Sequence, residues 1–361
     1  MTDATFAILA GGGTGGHVYP AVSLAQELVR RGHPPASIHF VGGRRGPERE
    51  VVPEGGFTID LLPGRGLQRR LTLANVGVVF QTMVAFWRAL AIVRHRRPRV
   101  VVGFGGYASL PCIVAAWVWR IPRVVHEQDS VIGLANRIGV RLGARVAASL
   151  PGVDAPDAVL TGNPVRAEFA ALERKGQQPP LVAAFGGALG AGSINHAMLG
   201  LYERWRDRDD VAVHHVSGPR NFDECHAALT AARRPGDALD YELVAYEAEM
   251  PALYERAAVA VCRAGAGTVA ELTATGLPAV LVPLPGAPSD HQARNAGTLA
   301  NAGAALVLPD AECDAARLDP LVSDLLARPG HLVEMSTAAR SLARPDAAAR
   351  LADLVEEQAR A

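Results

Sequence analysis

Residues Val259 to Leu272 read Val-Ala-Val-Cys-Arg-Ala-Gly-Ala-Gly-Thr-Val-Ala-Glu-Leu. The pattern is a buried strand, a turn of small residues with Arg263 at its mouth, and a helix entered at Thr268. Gly265 and Gly267 let a ligand come close to the backbone, and the unpaired N–H groups of a helix start favour an anion. Glu271, expected in the first helical turn, is suited to accept hydrogen bonds from sugar or ribose hydroxyls. A nucleotide-sugar is the ligand that such a cradle takes.

A second chemical stretch lies near the N-terminus. Thr5–Ala10 is a short apolar run, followed by Gly11-Gly12-Gly13-Thr14-Gly15-Gly16-His17 and an amphipathic segment from Pro20 to Arg31. Gly11, Gly13 and Gly16 satisfy G-x-G-x-x-G, which alone is a weak sign of dinucleotide binding. A nicotinamide site wants a carboxylate at the end of the next strand, Ser37–Val41. The chain has Gly42-Gly43-Arg44-Arg45 there, which leaves room only for a 2′-phosphorylated cofactor. His17 has two readings: a helix-start residue without chemistry, or a base that meets a substrate hydroxyl near neutral pH.

The elements that must position these residues alternate strand and helix. Arg99–Phe104 is a buried strand ending in Gly105-Gly106-Tyr107, and Pro122–His126 is another, ending in Glu127-Gln128-Asp129. Open parallel sheets collect ligands beyond the carboxyl ends of their strands, so three loops converge on one edge. Thr161–Arg166 then leaves the first half, and Arg174–Pro180 is a polar, proline-containing stretch near the boundary. From Leu181 the pattern restarts as strand, glycine loop (Gly186 to Ser193) and helix. Beyond the Val259 stretch, Gln292 and Asn295 share a helix face and carry amides of the kind that read sugars. The expected domains are 1–166 and 167–345, both α/β, with a surface helix at about 346–361 packing back on the first.

Bulk properties exclude several classes. The chain has 361 residues, room for two domains, and its 49% hydrophobic and 20% charged residues exclude a disordered protein. A formal net charge of +0 argues against nucleic acid as a partner. Cys112, Cys225, Cys262 and Cys313 are widely spaced, which fits reduced thiols rather than disulfides or zinc. His214, His215, Cys225 and His226 lack the spacing of a metal site. The first residues lack the basic start of a signal peptide, and no apolar run reaches the ~18 residues of a membrane span.

Between Leu61 and Arg99 the composition shifts. A basic loop holding Gly64, Arg65, Gly66, Gln68, Arg69 and Arg70 precedes Leu71, Leu73, Val76, Val79, Phe80, Met83, Phe86 and Trp87 at helical spacing. Arg88, Arg94, Arg96 and Arg97 follow. This is either a core helix with a solvated basic end or an apolar patch ringed by arginines that suits an anionic membrane surface.

Together the motifs resemble the MurG family of bacterial cell-wall glycosyltransferases, over nearly the whole chain. The resemblance rests on Gly11–Pro20, Gly103-Phe104-Gly105-Gly106-Tyr107, His126-Glu127-Gln128, Gly162-Asn163-Pro164-Val165-Arg166, Cys262-Arg263-Ala264-Gly265 with Glu271, and Asp290-His291-Gln292 with Asn295. It implies two Rossmann-like domains whose parallel sheets face across a cleft, the glycosyltransferase B type. It implies an inverting, metal-independent hexosyltransferase without a cofactor, moving N-acetylglucosamine from UDP-N-acetylglucosamine to the 4-hydroxyl of lipid I, at the cytoplasmic face of the cell membrane. The alternative is a divergent paralogue with another acceptor, or an inactive UDP-sugar-binding scaffold. His17 becomes the favoured base, with Glu127 as a second catalytic residue. Thr14, Gly15, Gly16, Asp129, Arg166, Ser193, Glu247, Arg263, Ala264, Gly265, Glu271, His291, Gln292 and Asn295 are implied to bind the donor. Gly13, Gly105, Gly106, Tyr107 and Gln128 are implied to bind the acceptor. The chain departs from the family pattern at Asp129, usually Asn, and at Ala188 and Leu189, usually Ser and Gln. The segment Leu71–Arg97, with Trp117 and Trp119, becomes the membrane-facing surface.

Overall fold

The computed structural model describes residues 5–64, 74–155, 157–187 and 189–360, with backbone alone for 74–79. The expected positions Arg65 to Leu73, and Ala188, lie outside the described residues, as do the side chains of Val76 and Val79.

The chain divides into two units, one of residues up to Arg166 with those from Arg344 onward, the other Ala167–Ala343. The first holds seven strands: β1 (Ala7–Ala10), β2 (Ile38–Gly43), β3 (Thr58–Leu62), β4 (Val100–Gly103), β5 (Arg123–Glu127), β6 (Arg145–Ala148) and β7 (Val159–Leu160). Their order is β3-β2-β1-β4-β5-β6-β7, and every pairing is parallel. The second holds β8 (Leu181–Phe185), β9 (Ala212–Val216), β10 (Asp240–Val244), β11 (Ala257–Cys262), β12 (Ala279–Leu281) and β13 (Ala305–Val307), also all parallel, in the order β10-β9-β8-β11-β12-β13. The two α/β halves expected from the sequence are therefore doubly wound parallel sheets.

Parallel strands with helices on both faces must be apolar throughout, and β1 shows why Ala-Ile-Leu-Ala suffices. Ala7 and Leu9 join a core with Val18, Ala21, Ala25 and Leu28 of the helix Gly15–Arg30. Ile8 and Ala10 join an opposite core with Ala85, Ala89 and Val93 of the helix Ala74–Arg96 and Ala108, Cys112 and Ala115 of the helix Gly106–Val118. In the second unit Val182, Val213, Val261 and Val280 pack on Ile194, Met198 and Leu201 of the helix Gly192–Trp205.

The terminal helix Ala347–Arg360 belongs to the first core, where Leu351, Ala352 and Val355 are fully buried. Its polar side is clipped by Arg31, which donates to Asp353 at 2.6 Å, to Glu356 at 3.0 Å and to the Ala349 carbonyl at 2.8 Å. One expected boundary shifts. The helix after β11 starts at Ala266 rather than Thr268, so Glu271 stands in its second turn. Because Leu351 has no exposed surface, Leu351→Ala should destabilise the first unit by about 2–5 kcal/mol in denaturant unfolding. A loss well under 1 kcal/mol on that same scale would mean a loosely docked helix.

Candidate functional site

In each sheet the strand order reverses beside its first strand, between β1 and β4 in one and between β8 and β11 in the other. Chains leaving the two strands turn to opposite faces there and open a crevice at the carboxyl edge. The loops with chemistry leave from those four strand ends.

In the first unit the β1 loop runs into the helix Gly15–Arg30, with Thr14 as its extended N-cap residue. The Thr14 side chain does not cap the helix and instead sits with Oγ1 3.2 Å from His17 Nδ1. His17 Nδ1 is 3.1 Å from the Gly12 carbonyl. A carbonyl only accepts, so this contact calls for the proton on Nδ1, and in the neutral ring the lone pair then lies on Nε2. The β4 loop lies against this imidazole. Gly105 and Gly106 have φ of +87° and +75°, and a Cβ on Gly106 would stand 2.4 Å from the Gly12 oxygen. Only glycine serves at these two positions. Arg166 stacks its guanidinium over Tyr19, 5.0 Å from the ring centroid, placing a cation beside the start of the same helix.

Several expected contact residues hold the loops instead. Glu127 is 3% exposed and accepts from Gly133 N–H at 2.8 Å, Asn136 Nδ2 at 2.9 Å and Asp129 N–H at 3.2 Å. Burial pushes its pKa up against those three donors. Its carboxylate shapes the turn that carries Asp129. Gln128, 4% exposed, donates to the Phe104 carbonyl and to His126 Nδ1, both at 3.0 Å. The amide nitrogen braces the β4 loop. His126 donates from Nε2 to the Gly162 carbonyl at 3.1 Å.

Glu48, absent from the expected set, has the widest reach. It is 1% exposed, and its Oε1 accepts from Gly43 N–H at 2.8 Å and Gly13 N–H at 3.1 Å. Tyr107 comes to the same place, since a Cβ on Gly43 would collide with its phenol. Burial first, and Glu48 second, push the Tyr107 pKa up.

In the second unit Arg263 does not stand open at the turn. Its guanidinium donates to Asp310 at 2.5 Å, to the Val282 and Pro283 carbonyls at 3.0 and 3.3 Å, and to Ser193 Oγ at 3.1 Å. Ser193 in turn donates to Asp310 at 2.5 Å. Burial acts to raise the Asp310 pKa, but these two partners outweigh it and hold the carboxyl below its usual value. Both backbone groups of Ala264 are taken by the helix His291–Asn301: its N–H donates to Gln292 Oε1 at 3.3 Å and its carbonyl accepts from Asn295 Nδ2 at 3.1 Å. Asn295 is fully buried. The two amides expected to read a sugar thus fix the Gly265 turn. Glu247 bends back to its own loop, accepting from Glu249 N–H at 2.7 Å, with Oε2 3.1 Å from His214 Nε2. His291 bonds the Pro288 carbonyl at 2.9 Å. Glu271 keeps a long bond, 3.4 Å, from Tyr254. Gly265 is the extended N-cap of the helix Ala266–Thr275, so that helix start faces the β11 end.

Burial lowers the pKa of His126 and of His215 to about 4 each. Both stay neutral in the folded chain but titrate near 6.5 when unfolded. The unfolded state then binds more protons, so stability should fall as pH drops from about 6.5 towards about 4. A thermal midpoint that stays level across that window would overturn the assignment.

The chain matches the glycosyltransferase family 28 N-terminal domain over residues 7–148 and the C-terminal domain of the same family over residues 181–351. A UDP-N-acetylglucosamine–N-acetylmuramyl-(pentapeptide) pyrophosphoryl-undecaprenol N-acetylglucosamine transferase of Alkalilimnicola ehrlichii is 40% identical, covering 98% of this chain and 99% of its own. One of the same name from Desulforudis audaxviator is 36% identical over 98% of both chains. Among solved structures, Acinetobacter baumannii MurG superposes with a TM-score of 0.77 at 28% identity, over 98% of this chain and 99% of its own. A UDP-N-acetylglucosamine 2-epimerase, 13% identical with a TM-score of 0.65 over 99% and 96% of the two chains, shares the fold alone. With both halves of the family pattern present in order and named relatives matched end to end, the chain belongs to glycosyltransferase family 28, in the MurG family.

Proposed function

We propose that the protein is an inverting hexosyltransferase that moves N-acetylglucosamine from UDP-N-acetylglucosamine to the 4-hydroxyl of a pentapeptide-bearing muramyl group on pyrophosphoryl-undecaprenol. The observation that carries the mechanism is the 3.1 Å contact between His17 Nδ1 and the Gly12 carbonyl, which calls for the proton on Nδ1 and so leaves the lone pair of the neutral ring on Nε2. Nε2 takes the proton of the acceptor hydroxyl as its oxygen attacks the anomeric carbon. The bond from that carbon to the diphosphate breaks on the opposite face, and UDP leaves with the electron pair. Thr14, Gly15 and Gly16 open a helix whose first N–H groups and positive dipole end suit a diphosphate, and Arg166 adds a cation beside them. Gly13, Gly105, Gly106 and Tyr107 form the acceptor side of this edge. In the second unit the start of the helix Ala266–Thr275 and Glu271 receive the nucleotide, with Arg263, Ser193, Gln292 and Asn295 holding the surrounding turns.

The lipid-linked acceptor places the protein at the cytoplasmic face of the bacterial membrane, and one surface of the first unit supports this. On the helix Ala74–Arg96 the small residues Ala85, Ala89 and Val93 turn inward, while Phe80, Met83 and Trp87 are 64%, 51% and 73% exposed. Phe86 is half-buried, so the outward aromatics are Phe80 and Trp87. Trp117, Val118 and Trp119 are exposed as well, and Arg94 stacks on Trp119 at 5.1 Å. An amphipathic helix that hides its small residues and shows its large ones, with Arg88, Arg94 and Arg120 exposed around it, fits an anionic interface. Among the described residues no helix is long and apolar enough to cross a membrane.

With labelled UDP-N-acetylglucosamine and the lipid-linked acceptor in detergent, the protein should form the disaccharide product. UDP binding without any product would favour a non-catalytic scaffold. In that assay His17→Ala should lower kcat by about 10²-fold with little change in donor KM. An unchanged kcat would return His17 to a structural role. Phe80→Ser with Trp87→Ser should weaken sedimentation with anionic vesicles while leaving the thermal midpoint near the parent's. Vesicle binding equal to the parent's would move the membrane surface elsewhere.

A further inference from the structure

One peptide unit carries two side chains of opposite character. The N–H of the Gly12–Gly13 peptide, on Gly13, donates to Glu48 Oε1 at 3.1 Å and Oε2 at 3.2 Å. The C=O of the same peptide, on Gly12, accepts from His17 Nδ1 at 3.1 Å. A trans peptide points these two groups in opposite directions, so carboxylate and imidazole sit on either side of one rigid, polarisable plane. The geometry points to Glu48 as the positioning carboxylate of His17, acting through the Gly12–Gly13 peptide rather than by direct contact.

Hydrogen bonds in a chain polarise one another, and a carboxylate on the N–H makes the carbonyl oxygen a stronger acceptor. The stronger acceptor holds the Nδ1 proton, fixes the ring and raises the electron density at Nε2. The effect is that of a carboxylate bonded to the imidazole, moved back by one peptide. The surroundings are built for the arrangement. A Cβ on Gly12 would lie 2.2 Å from Glu48 Oε1, one on Gly42 2.7 Å from its Cγ, and one on Gly46 less than 2 Å from Oε2. Three glycines thus clear space for one buried carboxylate. A simple brace for the β2 end needs only the Gly43 N–H, yet the same Oε1 also reaches the Gly13 N–H of the β1 loop.

The other titratable groups here are few. His126 of β5 faces His17 and is kept neutral by burial, so it adds no charge. Tyr107, from the helix Gly106–Val118, faces Glu48 and has its pKa pushed up by burial and then by Glu48. Arg45 lies near Tyr107, where its charge acts to lower the phenol's pKa against burial and Glu48.

The proposal rests on His17 as the base, and the test separates the two. Glu48→Gln keeps an acceptor oxygen for Gly13 and Gly43 and removes the charge. Titration of His17 by NMR on histidine-labelled protein, assigned with His17→Ala, reads the relay without catalysis. Removing a negative charge destabilises the imidazolium, so the His17 midpoint should move down by about half a pH unit in Glu48→Gln. By Brønsted behaviour its kcat should fall by about two- to threefold, with both KM values within about twofold. An unmoved His17 midpoint overturns the relay whatever the rate does. A moved midpoint with unchanged kcat keeps the relay and instead removes His17 as base. Should Glu48→Gln not fold, Glu48→Asp shortens the reach to Gly13 and carries the same reading. A displaced midpoint then supports the relay, and one equal to the parent's overturns it.

Discussion

Both units depend on a strand that cannot see water. β1 has both faces covered by helices, and β8 has fully buried residues along its length. Each is flanked by two parallel neighbours, so every crossover must leave to one face or the other. The reversal beside β1 and β8 separates the departing chains, and the open backbone at their carboxyl ends is where polar groups must find partners. In the first unit glycines gather there because a side chain would collide, as at Gly11, Gly12 and Gly106, while at the β11 end Gly265 and Gly267 leave open space beside the backbone.

Much of the polar chemistry at these edges serves the backbone. Glu127 satisfies two loop N–H groups and a buried amide, Gln128 reaches the Phe104 carbonyl, and Asn295 holds the Ala264 carbonyl. A buried loop N–H or carbonyl left unmet costs about 1–3 kcal/mol, so a side chain that meets it stabilises one loop conformation over its competitors. The Arg263–Asp310–Ser193 cluster does this across three segments of the second unit. Such residues belong to the site by fixing where its glycines stand.

The helix Ala74–Arg96 shows a constraint of another kind. It packs closely on the helix Gly106–Val118, where Ala85 and Ala89 meet Ala108, Cys112 and Ala115. The buried seam is taken by Ala85, Ala89 and Val93, with Leu90 and Ile92 partly buried beside it. Phe80, Met83 and Trp87 lie on the opposite, exposed side. Periodicity reports an apolar helix here but not which apolar stripe is covered, and that is why the core and surface readings stayed equally open in the sequence.

From the sequence alone the alternation of apolar runs and glycine loops determined two doubly wound α/β halves, and the order of motifs determined the family. Those signals are local: a strand buried on both faces must be continuously apolar, and a tight turn before a helix must be rich in glycine. His17 stood out as a candidate because it ends such a turn. Glu48 did not. An acidic residue after Gly46-Pro47 reads as an ordinary solvated helix start. Only the pairing of β1 with β2 brings it under Gly13, 35 residues away in sequence. For the same reason Arg263, Gln292 and Asn295 had the residue types of ligand contacts, while tertiary structure decided which way their donors turned. Composition states what a side chain can bond. Which partner it bonds is settled by the nearest unmet backbone group, and that group arrives from another part of the chain.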